Sequence, residues 1–307
     1  MSKLNDIIIA GGGPAGLTAA IYAARSGKET VVLEKGQPGG QLWLSESIEN
    51  YPGFPDGVNS FKLSGEMEKQ AKKFGAVIES GEIKSFREED GIYVAKTGKK
   101  EYKAISVIFA MGASMRQLKV KGENRLTGRG VSYCAVCDGP LYRDKNVIVV
   151  GGGNTACEEA VFLSRFAEKV IQIHRRPKLR AVGKVAREVS ENPKIELLLG
   201  EEIQEIVGDE KVEGVKLKSS GKIDIDGVFI FVGLTPNTSS VENFVDTSKG
   251  FIKTDSRYQT SLKGVFAAGD CREGSFRQVI TACGDGASAA ENARKYVEKK
   301  KGTAYDW

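Results

Sequence analysis

The fold is decided by the stretch IIIAGGGPAG at residues 7–16. An apolar run that leads into a G-x-G-x-x-G turn is typical of the strand–turn–helix unit that binds a dinucleotide. The pattern returns as VIVVGGGNTA at residues 147–156. Glycines let the backbone approach a pyrophosphate, and the N–H groups of the following helix face it. Two copies in this context predict two dinucleotide sites, although glycine turns also occur for packing reasons alone.

Composition and charge narrow the class of protein. The 307 residues, 40% of them hydrophobic and 28% charged, are enough for about two globular domains. Lysine plus arginine (45) exceed aspartate plus glutamate (40) only slightly and are spread along the chain, so we expect no nucleic-acid partner. No apolar run reaches the roughly 20 residues that cross a membrane, and no signal-peptide pattern is present. Five cysteines in a long chain do not form a secreted disulfide framework, so we expect a cytoplasmic protein with no membrane partner.

The order of apolar strands and amphipathic helices predicts an α/β protein with two Rossmann-like dinucleotide-binding domains. The first βαβ unit begins near residue 6, and the second runs from Val147 to His174. A further buried strand at residues 265–268 and a helix from about Gln278 follow the second unit. We therefore predict a discontinuous first dinucleotide-binding domain at 1–113 and 242–307. The second dinucleotide-binding domain, at 114–241, carries the C-x-x-C pair and is inserted in the first.

The residues that would contact the adenosine ribose differ between the two copies. The first copy places Glu34 at the end of the next strand, where a carboxylate accepts ribose hydroxyls. The same offset in the second copy reaches His174, which is followed by Arg175, Arg176 and Arg180. A cationic cluster suits a 2′-phosphate, so the sequence predicts FAD in the first site and NADPH in the second. The alternative for the cluster is a basic strand end that faces solvent.

A cysteine pair lies just ahead of the second copy, in the sequence CAVCD at residues 134–138. One C-x-x-C occurs in redox and in metal sites, but zinc needs further ligands. The other cysteines are scattered singly and His174 is the only histidine, so we predict no metal and a redox role for Cys134 and Cys137. Asp138 is the candidate to move protons, with a turn or helix-cap role as the alternative. The lone histidine also excludes a His–Glu pair that would serve the dithiol.

Together these motifs resemble the low-molecular-weight thioredoxin reductase family of pyridine nucleotide-disulfide oxidoreductases along almost the whole chain. Further matching segments are GGQ at 39–41, ENYPG at 49–53, HRR at 174–176, GVFAAGD at 264–270 and RQ at 277–278. The combination is far more specific than a glycine fingerprint alone.

The resemblance implies the residues that hold each cofactor. Those expected to contact FAD are Gly11, Gly13, Pro14, Ala15, Gly16, Glu34, Lys35, Gly40, Gln41, Leu42, Asn50, Gly112, Gly269, Asp270, Arg277, Gln278 and Val279. Those expected to contact NADPH are Gly151, Gly153, Asn154, Thr155, His174, Arg175, Arg176 and Arg180.

The resemblance also implies an activity and a partner. Hydride would pass from NADPH to FAD, and reduced FAD would cleave the disulfide of Cys134 and Cys137. The resulting dithiol would then reduce oxidised thioredoxin or a thioredoxin-like protein by dithiol-disulfide exchange. Cys137 would face the flavin, Cys134 would exchange with thioredoxin, and Asp138 would donate a proton, in a chain that forms homodimers. The alternatives are a flavin-dependent reductase of another thioredoxin-like or peroxiredoxin-system partner, and a non-catalytic nucleotide-sensing protein whose cysteines are regulatory.

Overall fold

A computed structural model describes residues 3–44, 47–98 and 100–304 and divides the chain into two compact units. Unit 1 joins the segment up to Ser114 with the segment from Thr235 onward, and unit 2 is Met115–Leu234. The predicted α/β class is confirmed, because each unit is built on a sheet of parallel strands with helices packed against it. In the described residues no helix combines the length and the apolar composition that crossing a bilayer requires.

The structure places residues 235–241 in unit 1, whereas the sequence-predicted boundary lies at 241–242. Thr238 donates a hydrogen bond to the carbonyl of Gly250 at 2.6 Å, and Asn237 donates to the carbonyl of Gly112 at 3.1 Å. Val241 is fully buried in the core of unit 1. Which unit binds FAD and which binds NADPH stays a prediction, and residues 305–307 of the predicted first domain lie outside the described residues.

The first segment of unit 1 runs into unit 2 through a short strand. Its elements are β1 (Leu4–Ala10), α1 (Pro14–Arg25), β2 (Thr30–Glu34), β3 (Ser47–Ile48), β4 (Val58–Asn59), α2 (Ser60–Lys73), β5 (Val77–Ser80), β6 (Ser85–Glu89), β7 (Ile92–Lys96), β8 (Glu101–Phe109) and β9 (Ala113–Met115).

Unit 2 contains the second βαβ pattern and an antiparallel sheet. Its elements are α3 (Glu123–Leu126), β10 (Val131–Ser132), α4 (Ala135–Asp138), β11 (Asn146–Val150), α5 (Asn154–Leu163), β12 (Lys169–His174), α6 (Lys184–Glu191), β13 (Ile195–Leu199), β14 (Ile203–Val207), β15 (Gly214–Leu217), β16 (Lys222–Asp224), β17 (Gly227–Ile230) and, leading out of it, β18 (Leu234–Pro236). The chain ends in unit 1 with β19 (Thr247–Ser248), β20 (Phe251–Ile252), β21 (Val265–Ala267) and α7 (Val279–Lys301).

In the described residues the main sheet of unit 1 has the strand order β5-β2-β1-β8-β7-β6, and β21 also pairs with β8. Strands β5, β2, β1, β8 and β21 pair in parallel. At the other edge of the sheet, β7 pairs antiparallel with β8 and with β6. Side chains of β1 alternate between two cores: Ile7 and Ile9 face α1 and α7, and Ile8 lies with Phe86 and Phe109 on the other face. Burying each isoleucine stabilises the fold by about 1.5–3 kcal/mol.

The main sheet of unit 2 has the order β10-β17-β11-β12-β13, and its strands pair in parallel. A separate antiparallel sheet is formed by β14, β15 and β16. In both units the first strand of the βαβ pattern is central in its sheet. The glycine turn at its carboxyl end therefore lies where parallel α/β sheets bind ligands.

Helices α1 and α7 pack so closely that one glycine has no room for a side chain. A Cβ on Gly286 would lie 2.1 Å from the carbonyl oxygen of Ala15. On the same helix, a Cβ on Gly284 would meet no atom within 4 Å. Packing against α1 therefore requires a glycine at position 286 but not at position 284.

We expect Gly286→Ala to lower the free energy of unfolding by about 1–3 kcal/mol, because the new methyl group must push α7 away from α1. Gly284→Ala is the matched control, and we expect it to stabilise the helix slightly. Chemical denaturation of both variants checks this. Equal midpoints for the two variants would contradict the packing argument.

Candidate functional site

The first glycine turn is shaped by backbone contacts that exclude side chains. A Cβ on Gly16 would lie 1.8 Å from the carbonyl oxygen of Gly11, and a Cβ on Gly11, whose φ is +104°, would lie 2.3 Å from that of Ala110. Helix α1 follows with Pro14 in its first turn and with no side chain capping its N–H groups. These free N–H groups and the open side of Gly13 fit the pyrophosphate of a dinucleotide.

Glu34, at the end of β2, contacts this turn directly. Its Oε2 accepts a hydrogen bond from the N–H of Gly12 at 2.6 Å, and its Oε1 accepts one from Gly36 at 2.9 Å. A carboxylate oxygen can accept more than one hydrogen bond, so both oxygens retain capacity for ribose hydroxyls. The position that the sequence offset predicted for ribose recognition is therefore next to the phosphate turn.

Two polar pairs join segments of unit 1 that are far apart in sequence. Gln41 donates through Nε2 to Asp270 Oδ2 at 3.0 Å, and to the carbonyl of Ala113 at 2.8 Å. Asn50 donates to the side-chain oxygen of Gln278, the residue that caps α7, at 3.0 Å. The structure thus brings together predicted FAD residues from the first and last segments of the chain.

The Asp270 carboxyl is held in an unfavourable setting for its charge. Burial raises its pKa to about 6, which the nearby Arg277 and the hydrogen bond from Gln41 only partly oppose. Arg277 itself has a φ of +58° and lies over the ring of Phe251, 5.1 Å from its centre. A strained backbone and a desolvated acid next to each other are typical of a binding site rather than of a fold-stabilising cluster.

The remaining predicted FAD residues have simpler surroundings. Leu42 and Val279 pack in the same hydrophobic cluster, and Gly269 lies against Ala15, so that a Cβ on Gly269 would be 2.9 Å from the Cβ of Ala15. Gly40 faces Gly13 closely, whereas Gly112, whose φ is +64°, borders open space. Lys35 is exposed.

The second glycine turn carries an unusual contact with His174. Three ring atoms of the imidazole lie 2.4–2.7 Å from the position of a Cβ on Gly152, so the ring occupies the space that a side chain would need there. His174 is buried, and its Nε2 has no hydrogen-bond partner in the described chain. Burial and the neighbouring Arg180, Arg176 and Arg175 lower its pKa, so the imidazole is neutral near pH 7. The arginines therefore carry the positive charge that the sequence predicts here.

A cavity of about 720 Å³ opens beside this turn, within unit 2. It is lined by Gly151, Gly152 and the cluster of His174, Arg175, Arg176 and Arg180. The amino end of α5 has no side-chain cap, while Asn154 accepts a hydrogen bond from Val182 N–H at 3.3 Å and Thr155 is exposed. Glycine backbone, free helix N–H groups and exposed guanidinium groups fit a phosphorylated dinucleotide.

Sequence reasoning missed part of the cavity lining and one support of the turn. The missed lining residues include Arg116, Lys119 and Lys121, at and just after the end of the strand that leads into unit 2. Gln172, fully buried on β12, donates to the carbonyl of Gly151 at 3.1 Å. No motif marks these residues, because their positions depend on which strands are neighbours in the sheet.

The cysteine pair forms a disulfide at the start of α4. Cys134 and Cys137 have Cα atoms 5.3 Å apart, and both residues are half-buried, which leaves them accessible for exchange. The N–H of Cys137 donates to Cys134 Sγ at 3.1 Å. Asp138 is also half-buried, and its Oδ2 accepts a hydrogen bond from the hydroxyl of Ser132 at 2.6 Å.

Tyr142 lies close to this loop. Burial raises its pKa to about 12, and the carboxylates of Asp138 and Asp226 add to the shift. The phenol therefore keeps its proton at neutral pH. The role of Asp138 in proton transfer stays a prediction, which its position next to Cys137 allows.

A family model described as pyridine nucleotide-disulphide oxidoreductase matches residues 5–286. The chain belongs to this family. Its members are NADPH-dependent flavoprotein disulfide oxidoreductases, so the predicted class of enzyme and the cofactors FAD and NADPH are confirmed.

Named relatives agree over nearly the full length. A thioredoxin reductase of Bacillus subtilis is 44% identical over 98% of this chain and 97% of its own. One of Listeria monocytogenes is 45% identical over 97% and 96%. The crystal structure of thioredoxin reductase from Streptococcus pyogenes superposes with a TM-score of 0.94 at 40% identity, covering 97% of this chain and all of that one. The resemblance inferred from the motifs is confirmed.

The raised pKa of Asp270 predicts how FAD-free protein responds to pH. Because the folded-state pKa lies above the ordinary value of 3.8, the charged carboxylate destabilises the fold above about pH 6 and this penalty vanishes below about pH 4. We expect Asp270→Asn to stabilise the FAD-free protein at pH 7.5 by up to about 3 kcal/mol. Thermal unfolding at pH 7.5 and pH 4 checks this: a gain of equal size at both pH values would show that burial of charge is not the cause.

Proposed function

We propose that this protein is a thioredoxin reductase, which transfers electrons from NADPH through FAD and the Cys134–Cys137 disulfide to a disulfide of thioredoxin or a thioredoxin-like protein. The observation that carries the proposal is the accessible disulfide with Asp138 beside it, in a chain with two dinucleotide turns. The full-length similarity to thioredoxin reductases supports the same conclusion.

FAD is assigned to unit 1. The free N–H groups of α1 and the glycine turn hold the pyrophosphate, Glu34 accepts from the ribose, and Gln41 with Asp270 and Asn50 with Gln278 hold the rest of the cofactor. Bound FAD supplies the hydride and electron-pair chemistry that no side chain provides.

NADPH is assigned to the cavity of unit 2. The turn at Gly151–Gly153 approaches the pyrophosphate, and Arg175, Arg176 and Arg180 bind the 2′-phosphate. The ring of His174 contacts Gly152, and because the imidazole is neutral it adds no charge to the site. The guanidinium groups are the part of the site that separates NADPH from NADH.

In the exchange reaction the enzyme dithiol becomes a disulfide and the thioredoxin disulfide becomes a dithiol. The thiolate of Cys134 attacks the thioredoxin disulfide, and the sulfur that leaves takes up a proton. The thiolate of Cys137 then attacks Cys134 Sγ, which releases the second thioredoxin sulfur. Asp138 takes the proton of the attacking thiol and returns it to the leaving sulfur. Overall, NADPH, one proton and a disulfide yield NADP⁺ and a dithiol.

Two further features complete the proposal. The protein acts in the cytoplasm, where NADPH is available and where its remaining cysteines, Cys157, Cys271 and Cys283, stay reduced as free buried thiols. It forms homodimers, as the resemblance along the whole chain implies. Sedimentation equilibrium of the FAD-loaded protein tests the second statement.

Replacement of Cys137 by serine tests the electron path. We expect Cys137→Ser to abolish NADPH oxidation that depends on thioredoxin, because the electron pair can no longer reach a disulfide, while NADPH still bleaches the flavin. Cys157→Ala, at a buried cysteine outside the pair, is the control that keeps turnover. Rapid NADPH oxidation with a peroxiredoxin-system protein and none with thioredoxin would show that the partner is wrong.

Replacement of an exposed arginine tests the cofactor preference. We expect Arg176→Ala to lower kcat/KM for NADPH about tenfold to 100-fold, since a charge-assisted hydrogen bond to the 2′-phosphate is lost. The value for NADH stays unchanged. Lys178→Ala, an exposed cation in the same loop, is the control. An equal decrease in kcat/KM for NADPH and for NADH would show that Arg176 does not recognise the 2′-phosphate.

A further inference from the structure

Ser132 precedes the redox cysteines and belongs to a partly buried hydrogen-bond chain that no sequence motif marks. It ends β10, pairs with Phe229 of β17 in the main sheet of unit 2, and is 5% exposed. Its Oγ accepts a hydrogen bond from the N–H of Cys134 at 3.1 Å and donates to Asp138 Oδ2 at 2.6 Å. A buried hydroxyl thus connects the backbone of one redox cysteine with the carboxyl next to the other.

The geometry decides where the single hydroxyl proton points. Ser132 has a second possible acceptor, the carbonyl of Cys134, at 3.3 Å. The carboxylate is both closer and charged, and such hydrogen bonds are the shorter and stronger ones. The N–H of Cys134 polarises the hydroxyl in the same direction, so the two bonds strengthen each other.

The same geometry accommodates a protonated Asp138. A hydroxyl oxygen can accept two hydrogen bonds while donating one. When the carboxyl of Asp138 carries the proton, Ser132 can accept from it and turn its own proton to the carbonyl of Cys134. Neither protonation state then leaves a buried polar group without a partner, so the carboxyl keeps one orientation through a proton transfer.

Backbone hydrogen bonds fix the position of Asp138 relative to the sulfur atoms of the disulfide. The N–H of Asp138 donates to the carbonyl of Cys134 at 3.1 Å, and the N–H of Cys137 donates to Cys134 Sγ at 3.1 Å. Since Ser132 is part of the sheet, its hydroxyl ties the Asp138 side chain to a strand. Loss of this hydrogen bond removes one constraint on the rotamer of Asp138, and ordering the side chain for proton transfer then costs more entropy.

We propose that Ser132 is a positioning residue for thioredoxin reduction, which keeps the carboxyl of Asp138 aligned with the redox sulfurs in both of its protonation states. This inference rests on the proposed function and on the proton-transfer role of Asp138. The step is a proton transfer only: the carboxyl gives its proton to the leaving sulfur and becomes a carboxylate, to which Ser132 then donates.

The test is the rate at which the reduced, FAD-loaded enzyme reduces thioredoxin, measured in single turnover together with steady-state kcat and KM. We expect Ser132→Ala to lower the rate and kcat about tenfold to 100-fold, with KM for NADPH unchanged. Ser164→Ala is the matched control: this serine of unit 2 is 7% exposed, donates to the carbonyl of Val161 and accepts from the side-chain amide of Asn192. It should keep the wild-type rate.

Two further comparisons separate positioning from a structural role. Ser132→Thr and Ser132→Val have the same shape, so any difference between them reports on the hydroxyl, and we expect only the threonine variant to recover the rate. In an Asp138→Asn background, Ser132→Ala should lower the rate no further, because Ser132 acts through Asp138.

The inference is overturned by wild-type rates in Ser132→Ala, by equal rates for the threonine and valine variants, or by an equal further loss in the Asp138→Asn background. A wild-type rate for Asp138→Asn alone also overturns it, because no proton carrier then needs positioning. These results leave the proposed function intact. That function fails separately, if Cys137→Ser still reduces thioredoxin.

Discussion

The structure depends on a backbone approach that tolerates no side chain where a central strand turns into a helix. In unit 1 the turn closes on itself, since a Cβ on Gly16 would lie 1.8 Å from the carbonyl oxygen of Gly11. In unit 2 a Cβ on Gly151 would lie 2.4 Å from the carbonyl oxygen of Phe231. These contacts place uncapped helix N–H groups at the carboxyl ends of parallel strands, the position at which α/β proteins bind phosphate groups.

Charged side chains near these turns are either hydrogen-bonded or exposed to solvent. Glu34 satisfies backbone N–H groups of the first turn, and the neutral His174 supports the second, so that neither turn contains a buried unpaired charge. The exposed arginines supply positive charge at the cavity instead. Asp270 is the exception, because burial holds its pKa near 6. A destabilising acid of this kind is expected where binding matters more than stability.

In the redox loop, residues 132–138, accessible sulfur atoms lie next to a hydrogen-bonded carboxyl group. The disulfide is half-buried, and hydrogen bonds connect the neighbouring polar groups of Ser132, Cys134 and Asp138. A satisfied network of this kind fixes orientation, whereas a partly satisfied one would destabilise the loop. The sulfur atoms are half-buried and open to exchange, whereas hydrogen bonds hold Asp138, the proposed proton carrier.

The two glycine turns, their strands and helices, the cysteine pair and the position of Glu34 could be predicted from the sequence, because each is encoded within a few tens of neighbouring residues. The folded chain was needed to find that Gln41 meets Asp270 across 229 positions and that Arg116 and Lys119 line the cavity. It was also needed to find that burial lowers the pKa of His174. Ser132 is close to Asp138 in sequence, yet its hydroxyl reaches the carboxyl only because β10 and α4 fold back on each other. Local backbone patterns can be read from residue types, whereas side-chain partners and burial depend on which elements are neighbours in the folded chain.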